Sequence, residues 1–250
     1  TSRMRYNNIL EAIGHTPRII KSGLIPQEQY QYFWNTLLSK QTITGDGRAD
    51  KKQMQRAVSR VKLAIKNREK IVVYGDYDAD GVCAAAIVWE TLFRRFRANI
   101  INPYIPDRFS EGYGLRVESL TKLREENPGL KLVITVDHGI VAHKAVKKAS
   151  ELGLEVIIID HHLPQPKKPG ALAIVHSTKI CAAAASWVFV RELSKGTSFF
   201  EKTLKMLDLV AIGTVSDVMP LTGVNRSFVC WGLDLLDKTE LEGVLAHELS

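Results

Sequence analysis

Five short runs rich in β-branched and aliphatic residues, Ile71–Tyr74, Asn99–Tyr104, Lys131–Val136, Glu155–Ile159 and Ala171–Val175, recur between segments of helical pattern. That alternation limits the fold more than any other feature. Strands that are apolar without interruption must be covered on both faces, the condition of a parallel sheet with helices on each side. The helices are expected at Gly81–Phe96, Leu115–Glu126, Ala142–Leu152 and Cys181–Leu193, with an earlier amphipathic one at Lys51–Lys66. After Gly196 the pattern is helical, over Phe199–Ile212 and Arg226–Asp237. The expected fold is α/β: a parallel five-stranded sheet flanked by helices, with an N-terminal helical arm and a helical C-terminal part. Residues 1–45 are expected to form the arm, with the aromatics Tyr30, Tyr32, Phe33 and Trp34 packing it onto the main domain.

Parallel strands deliver their carboxyl ends to one edge, where open α/β sheets place their sites. Val72-Val73-Tyr74 runs into Asp76, Asp78 and Asp80, three carboxylates at every second position, then Gly81. Alternate residues of an extended segment face one side, so these groups can converge, and convergent carboxylates raise one another's pKa unless a cation lies between them. The next strands end in Asp137-His138-Gly139 and in Asp160-His161-His162. Asp217 follows where a helix gives way to a loop ending in Pro220. Each piece alone has an ordinary explanation: a helix N-cap, a surface histidine, a turn residue. Together, five or six carboxylates with one or two imidazoles match the inventory of a two-metal site. Oxygen-rich ligands favour Mn²⁺ or Mg²⁺ over structural zinc, which would recruit cysteine.

Composition narrows the partners. Of 250 residues 45% are hydrophobic and 24% charged, as in an ordinary globular protein. The formal charge of +7, despite the gathered aspartates, suits a polyanionic partner such as nucleic acid. Cys83, Cys181 and Cys230 are widely spaced and odd in number, which argues against a disulfide framework or a zinc ribbon and fits a reducing, cytoplasmic setting. No signal-peptide core follows Thr1, and the longest apolar run, Ile180–Val190, is too short to span a bilayer, so no membrane role is expected.

Gly75-Asp76-Tyr77-Asp78-Ala79-Asp80-Gly81, Val136-Asp137-His138-Gly139, Asp160-His161-His162 and Gly213-Thr214-Val215-Ser216-Asp217 resemble motifs I to IV of the DHH phosphoesterases. Ile105-Pro106-Asp107-Arg108-Phe109 with Glu111-Gly112-Tyr113-Gly114-Leu115 is similar to the signature of the RecJ-type single-strand exonucleases within that superfamily. The resemblance implies a DHH catalytic domain over residues 46–238 and two divalent cations, Mn²⁺ or Mg²⁺, as cofactors. It implies Asp78, Asp80, Asp137, His161 and Asp217 as metal ligands, with Asp137 and Asp217 shared between ions. Asp76 would be a further ligand or an outer acceptor, Asp160 would orient an imidazole, and His162 would face the phosphate. Arg108, Tyr113 and Gly114 would hold the substrate strand. The activity implied is two-metal hydrolysis of single-stranded DNA, 5′→3′, releasing nucleoside 5′-monophosphates, with RNA a second substrate to consider. Two alternatives stand beside it: a DHH hydrolase of oligoribonucleotides, cyclic dinucleotides or pyrophosphate, and a non-catalytic replication factor that binds nucleic acid.

Three departures accompany the resemblance. His138 stands where many relatives carry cysteine. The alanine-rich Cys181–Trp187 replaces a glycine-rich stretch, leaving the helix packing there open. Residues 239–250 are expected to begin a linker towards a DHHA1-type domain, whose absence from this chain predicts weak processivity. A replication or repair protein is the other partner considered.

Overall fold

The computed structural model describes residues 49–236, and within them four strands pair in parallel: β1 (Lys70–Tyr74), β2 (Leu130–Val136), β3 (Glu155–Asp160) and β4 (Ala173–His176). Their order in the sheet is β1-β2-β3-β4. Tyr74 lies opposite Thr135, Val136 opposite Ile159, and Asp160 opposite His176. This register brings the carboxyl ends of all four strands to one edge. The proposed arm and the start of the linker lie outside the described residues.

The α/β class and the parallel sheet are as expected; the fifth strand is not. Residues 99–104 run beside β1 but touch it only through isolated bridges, Ile71 with Ile100 and Tyr74 with Tyr104. Ile101 N–H donates to Ile71 and Tyr104 N–H to Val73, with Pro103 in between. Proline has no N–H to give a ladder, so pairing lapses there and the segment follows the edge without becoming a strand.

Helices cover both faces of the sheet. They are α1 (Ala49–Lys66), α2 (Ala79–Glu90), α3 (Val117–Glu126), α4 (His143–Glu151), α5 (Ala182–Ser194), α6 (Leu207–Ser216) and α7 (Gly223–Leu236). Side chains alternate along each strand, so Ile71, Val73, Ile134, Ile157 and Ile159 pack against α1, α2, α5 and α6. Val72, Val133, Val156 and Ile158 face the opposite way, against Leu120, Leu123, Val146 and Ala149 of α3 and α4. Two expected helices change form along their length. α2 passes into a π-helical turn at Thr91–Arg95, and α6 is preceded by a 3₁₀ segment, Glu201–Met206. The helix expected at Lys51–Lys66 buries Met54, Ala57, Val61 and Ala64, a three-and-four spacing that presents one face to the sheet.

Candidate active site

The turn from β1 into α2 is tight because Gly81 allows it. A Cβ there would stand 2.7 Å from Asp76 Cβ and 2.8 Å from the Asp76 carbonyl oxygen. Asp78 is the N-cap of α2, its carboxylate accepting from Gly81 N–H at 2.9 Å. Asp76 is buried and accepts from Tyr77 N–H. Burial, followed at a distance by the charge of Asp78, raises its pKa.

Asp80 points away from the turn, to the start of α5. Its two oxygens accept from Ala182 N–H at 2.6 Å and Ala183 N–H at 2.9 Å, so a buried carboxylate sits on the positive end of a helix. Its pKa is nonetheless raised, because burial outweighs these bonds. The alanine-rich stretch whose packing the sequence left open is thus the support of Asp80. Gly213 on α6 completes the close fit: a Cβ there would lie 2.4 Å from Asp80 Oδ1 and 2.7 Å from Ala183 Cβ.

Asp137 leaves the end of β2 with φ 66°, the left-handed region that a non-glycine residue seldom enters. Gly139 follows at φ 113°, where a Cβ would meet Thr135 Oγ1 at 2.8 Å. Asp137 is 1% exposed, and its Oδ1 is buried with no hydrogen-bond partner. His161 Nε2 lies 3.1 Å from that oxygen without the alignment of a hydrogen bond. Burial, then the charges of Asp80 and Asp78, push the Asp137 carboxyl up to about 10.

His161 is the hub of the pocket. Its Nε2 also lies 3.9 Å from Asp80 Oδ2, and its Nδ1 3.6 Å from Asp217 Oδ2. Three triads each bring one ligand atom per residue within 4.8 Å of the others: Asp137–His161–His162, Asp80–His161–Asp217 and Asp76–Asp78–Asp137. The five residues named as ligands from the sequence therefore meet in one pocket, with Asp76 and His162. Asp137 and His161 each fall in two triads. Asp217 falls in one, so this geometry supports Asp137 as a shared ligand and lends Asp217 no such support.

Asp160 has a different role. Oδ1 accepts from His161 N–H at 2.7 Å and His162 N–H at 3.1 Å, and Oδ2 accepts from Ile140 N–H at 2.8 Å. The His162 ring adds Nδ1 at 2.8 Å from Oδ1. Burial opposes its ionisation, but these bonds prevail and hold its pKa down to about 2. Two of these four bonds go to His162, one to its backbone and one to its ring. In return, the bond to Asp160 raises the pKa of His162. The other ring nitrogen, Nε2, is 3.1 Å from Tyr113 Oη, so His162 bridges the buried acid and the exposed rim. His138 is buried edge-on against Tyr74, its ring nitrogens without hydrogen-bond partners, and burial pushes its pKa down to about 4.

The rim is aromatic and basic. The Arg108 guanidinium lies over the Tyr77 ring at 5.5 Å, and Tyr77 meets Tyr113 edge-on at 6.5 Å. Gly114 takes φ 83°, and its carbonyl accepts from Tyr74 Oη at 3.4 Å. Sequence reasoning passed over Tyr77 and Glu111, although both lie inside the quoted motifs. Glu111 accepts from Tyr104 and Ser119 hydroxyls and so fixes the loop that carries Arg108 and Tyr113. No spacing rule marks such a carboxylate, because its partners come from separate segments.

A parallel α/β domain with carboxylates and imidazoles gathered at the carboxyl edge defines a class, that of domains built to hold hard divalent cations. The fit is specific. The orphaned Asp137 Oδ1 and the converging triads are what a dication would satisfy. The family model described as DHH family, N-terminal domain, matches residues 70–214, and the chain belongs to that family. It is 41% identical over 200 residues to the single-stranded-DNA-specific exonuclease RecJ of Bacillus subtilis, covering 77% of this chain and 25% of that protein. With the Escherichia coli RecJ it shares 32% identity over 199 residues, 72% of this chain and 34% of the relative. The chain thus spans a quarter to a third of these relatives. Among solved structures, an exonuclease RecJ bound to manganese superposes with a TM-score of 0.65 at 33% identity, covering 72% of this chain and 47% of that one. Thermus thermophilus RecJ in complex with Mn²⁺ gives 0.62 at 32% identity, covering 73% and 26%.

Proposed function

We propose that this chain carries the catalytic domain of a metal-dependent phosphodiesterase that degrades single-stranded DNA from the 5′ end, releasing nucleoside 5′-monophosphates. The observation that carries the reading is Asp137. A buried carboxylate on a strained backbone, with one oxygen unpartnered and four further ligand groups in its two triads, is what bound cations would satisfy. Two divalent ions, Mn²⁺ or Mg²⁺, would be held by Asp78, Asp80, Asp137, His161 and Asp217, with Asp76 as an additional acceptor. When bound, such ions lower the pKa of water and offset charge on phosphoryl oxygens.

The chain's own groups do the rest. Asp160 holds the His162 ring through Nδ1, and Nε2, once it exchanges Tyr113 Oη for substrate, can donate a hydrogen bond to a phosphoryl oxygen. Tyr113 steadies the same ring from the solvent side. Arg108 adds a fixed positive charge for the strand's phosphates, and the Tyr77 and Tyr113 rings supply faces for bases, a means of binding single strands without reading sequence. A DHHA1-type domain is the partner proposed to complete the strand's path, a reading supported by the greater length of the relatives.

The test is nuclease assay of the 250-residue chain on 5′-labelled single-stranded DNA with Mn²⁺. Label should leave as mononucleotide, and duplex DNA should be spared. Asp137→Ala should lower the rate by at least about 10³-fold. An Asp137→Ala rate within a few fold of the unsubstituted chain would sink the reading.

A further inference from the structure

The proposed chemistry occupies the carboxyl edge of the sheet and leaves the opposite edge unused. There, the turn after α1 and the turn after the π-helical segment meet. Asn99 Nδ2 donates to the Arg68 carbonyl at 3.0 Å, and Ile71 N–H donates to the Asn99 carbonyl at 2.9 Å. Each turn carries an exposed arginine at positive φ, Arg68 at 52° and Arg97 at 48°. Glycine takes that conformation freely and arginine only at a cost, so the turn geometry does not account for either residue.

The Thr91–Arg95 π-helical turn, a form that recurs at functional sites, leads into the Arg97 turn, with Arg95 lying over the Phe199 ring at 4.9 Å. An aromatic pair lies next to this charge. Phe93 stacks on Trp89 at 4.7 Å and 14°, and remains 49% exposed. Trp89 Nε1 donates to the Ile101 carbonyl at 3.0 Å, which ties the pair to the segment that follows the Arg97 turn. Glu69, next to Arg68 in the chain, is engaged by Arg60.

We propose that this amino-edge patch is a second contact for a single nucleic-acid strand, with Arg68 and Arg97 on phosphates and Phe93 offering a ring to a base. Guanidinium groups alternating with an exposed stacked ring are the combination that binds single strands without sequence preference. A purely acidic protein partner would use the arginines and leave the ring idle. Eight residue steps of largely extended chain, Arg68 to Asp76, separate the patch from the Asp76 turn by up to roughly 26 Å. A strand engaging both would therefore have to pass around the domain.

The test uses the full 250-residue chain in EDTA, so that binding is read without cleavage and independently of the catalytic reading. Anisotropy of a labelled thirty-residue oligothymidylate is followed across a salt series. In the doubly substituted Arg68→Gly, Arg97→Gly chain, glycine relieves both turns, so the fold is kept. Binding should weaken on the order of tenfold, and the slope of log K against log salt should become shallower by about 1.4. Phe93→Ala should weaken binding by about fivefold or more. A dinucleotide, with only about 3.4 Å of rise, cannot reach the patch. Its hydrolysis with Mn²⁺ should be the same in the glycine variant as in the unsubstituted chain. Unchanged oligothymidylate affinity in the glycine variant would overturn the proposal, as would equal competition by polyglutamate at matched charge. Absence of mononucleotide release from oligothymidylate with Mn²⁺ in every form would count against the catalytic reading alone.

Discussion

Asp137 carries two penalties at once: a left-handed backbone and a buried oxygen with no hydrogen-bond partner. Strain of this kind persists where surrounding structure holds it in place, and it concentrates at functional sites. Asparagine tolerates the same backbone region and has nearly the same shape. Asp137→Asn should therefore leave the metal-free stability within about 1 kcal/mol, while losing the rise in melting temperature that Mn²⁺ brings. Thermal melting with and without Mn²⁺ checks both halves. Val218, one residue past Asp217, is another such outlier, at φ 53° and 86% exposed. A β-branched residue is poorly suited to that conformation and packs little there. Val218→Gly should stabilise the chain by about 0.5–1 kcal/mol, measured by denaturant titration. Neither angle was legible in the sequence, since Asp-His-Gly and Asp-Val-Met-Pro fit several turn geometries equally well.

At the level of elements, the site depends on a helix that the sequence did not assign to it. Ala182–Ser194 reads as an apolar buried helix and is one, but its first two N–H groups also hold Asp80 in place. Gly213 keeps α6 close enough to complete that contact. Gly213→Ala should cost about 1–3 kcal/mol, because the added methyl has to displace Asp80 or Ala183. It should also lower Mn²⁺ affinity, read by calorimetry; unchanged affinity would mean that Ala183, and not Asp80, gives way. The strand–helix alternation and the edge on which the acids fall were readable, because period and parallel topology are properties of local pattern. The lapse of the fifth strand at Pro103 was readable in principle, since that proline lies inside the proposed run. The pairing of Asp80 with Ala182 and Ala183, about a hundred residues away, was not. Long-range backbone contacts leave no mark in spacing.

Across the whole molecule, two apolar cores on either side of the sheet fix the strands, and the strands bring mutually repelling carboxylates together at one edge. Cations binding the folded form alone should stabilise it by about 2.7 kcal/mol at a hundred times the dissociation constant. For a domain of this size that corresponds to a melting shift of about 5–10 °C, abolished by EDTA. Among the described residues no helix is long and apolar enough to cross a membrane. The most direct measurement is anomalous diffraction from crystals of this chain soaked in Mn²⁺. Two peaks among Asp78, Asp80, Asp137, His161 and Asp217, with Asp137 touching both, are the predicted result. Their absence at full occupancy of Mn²⁺ elsewhere in the crystal, or a single ion remote from Asp137, would contradict the account.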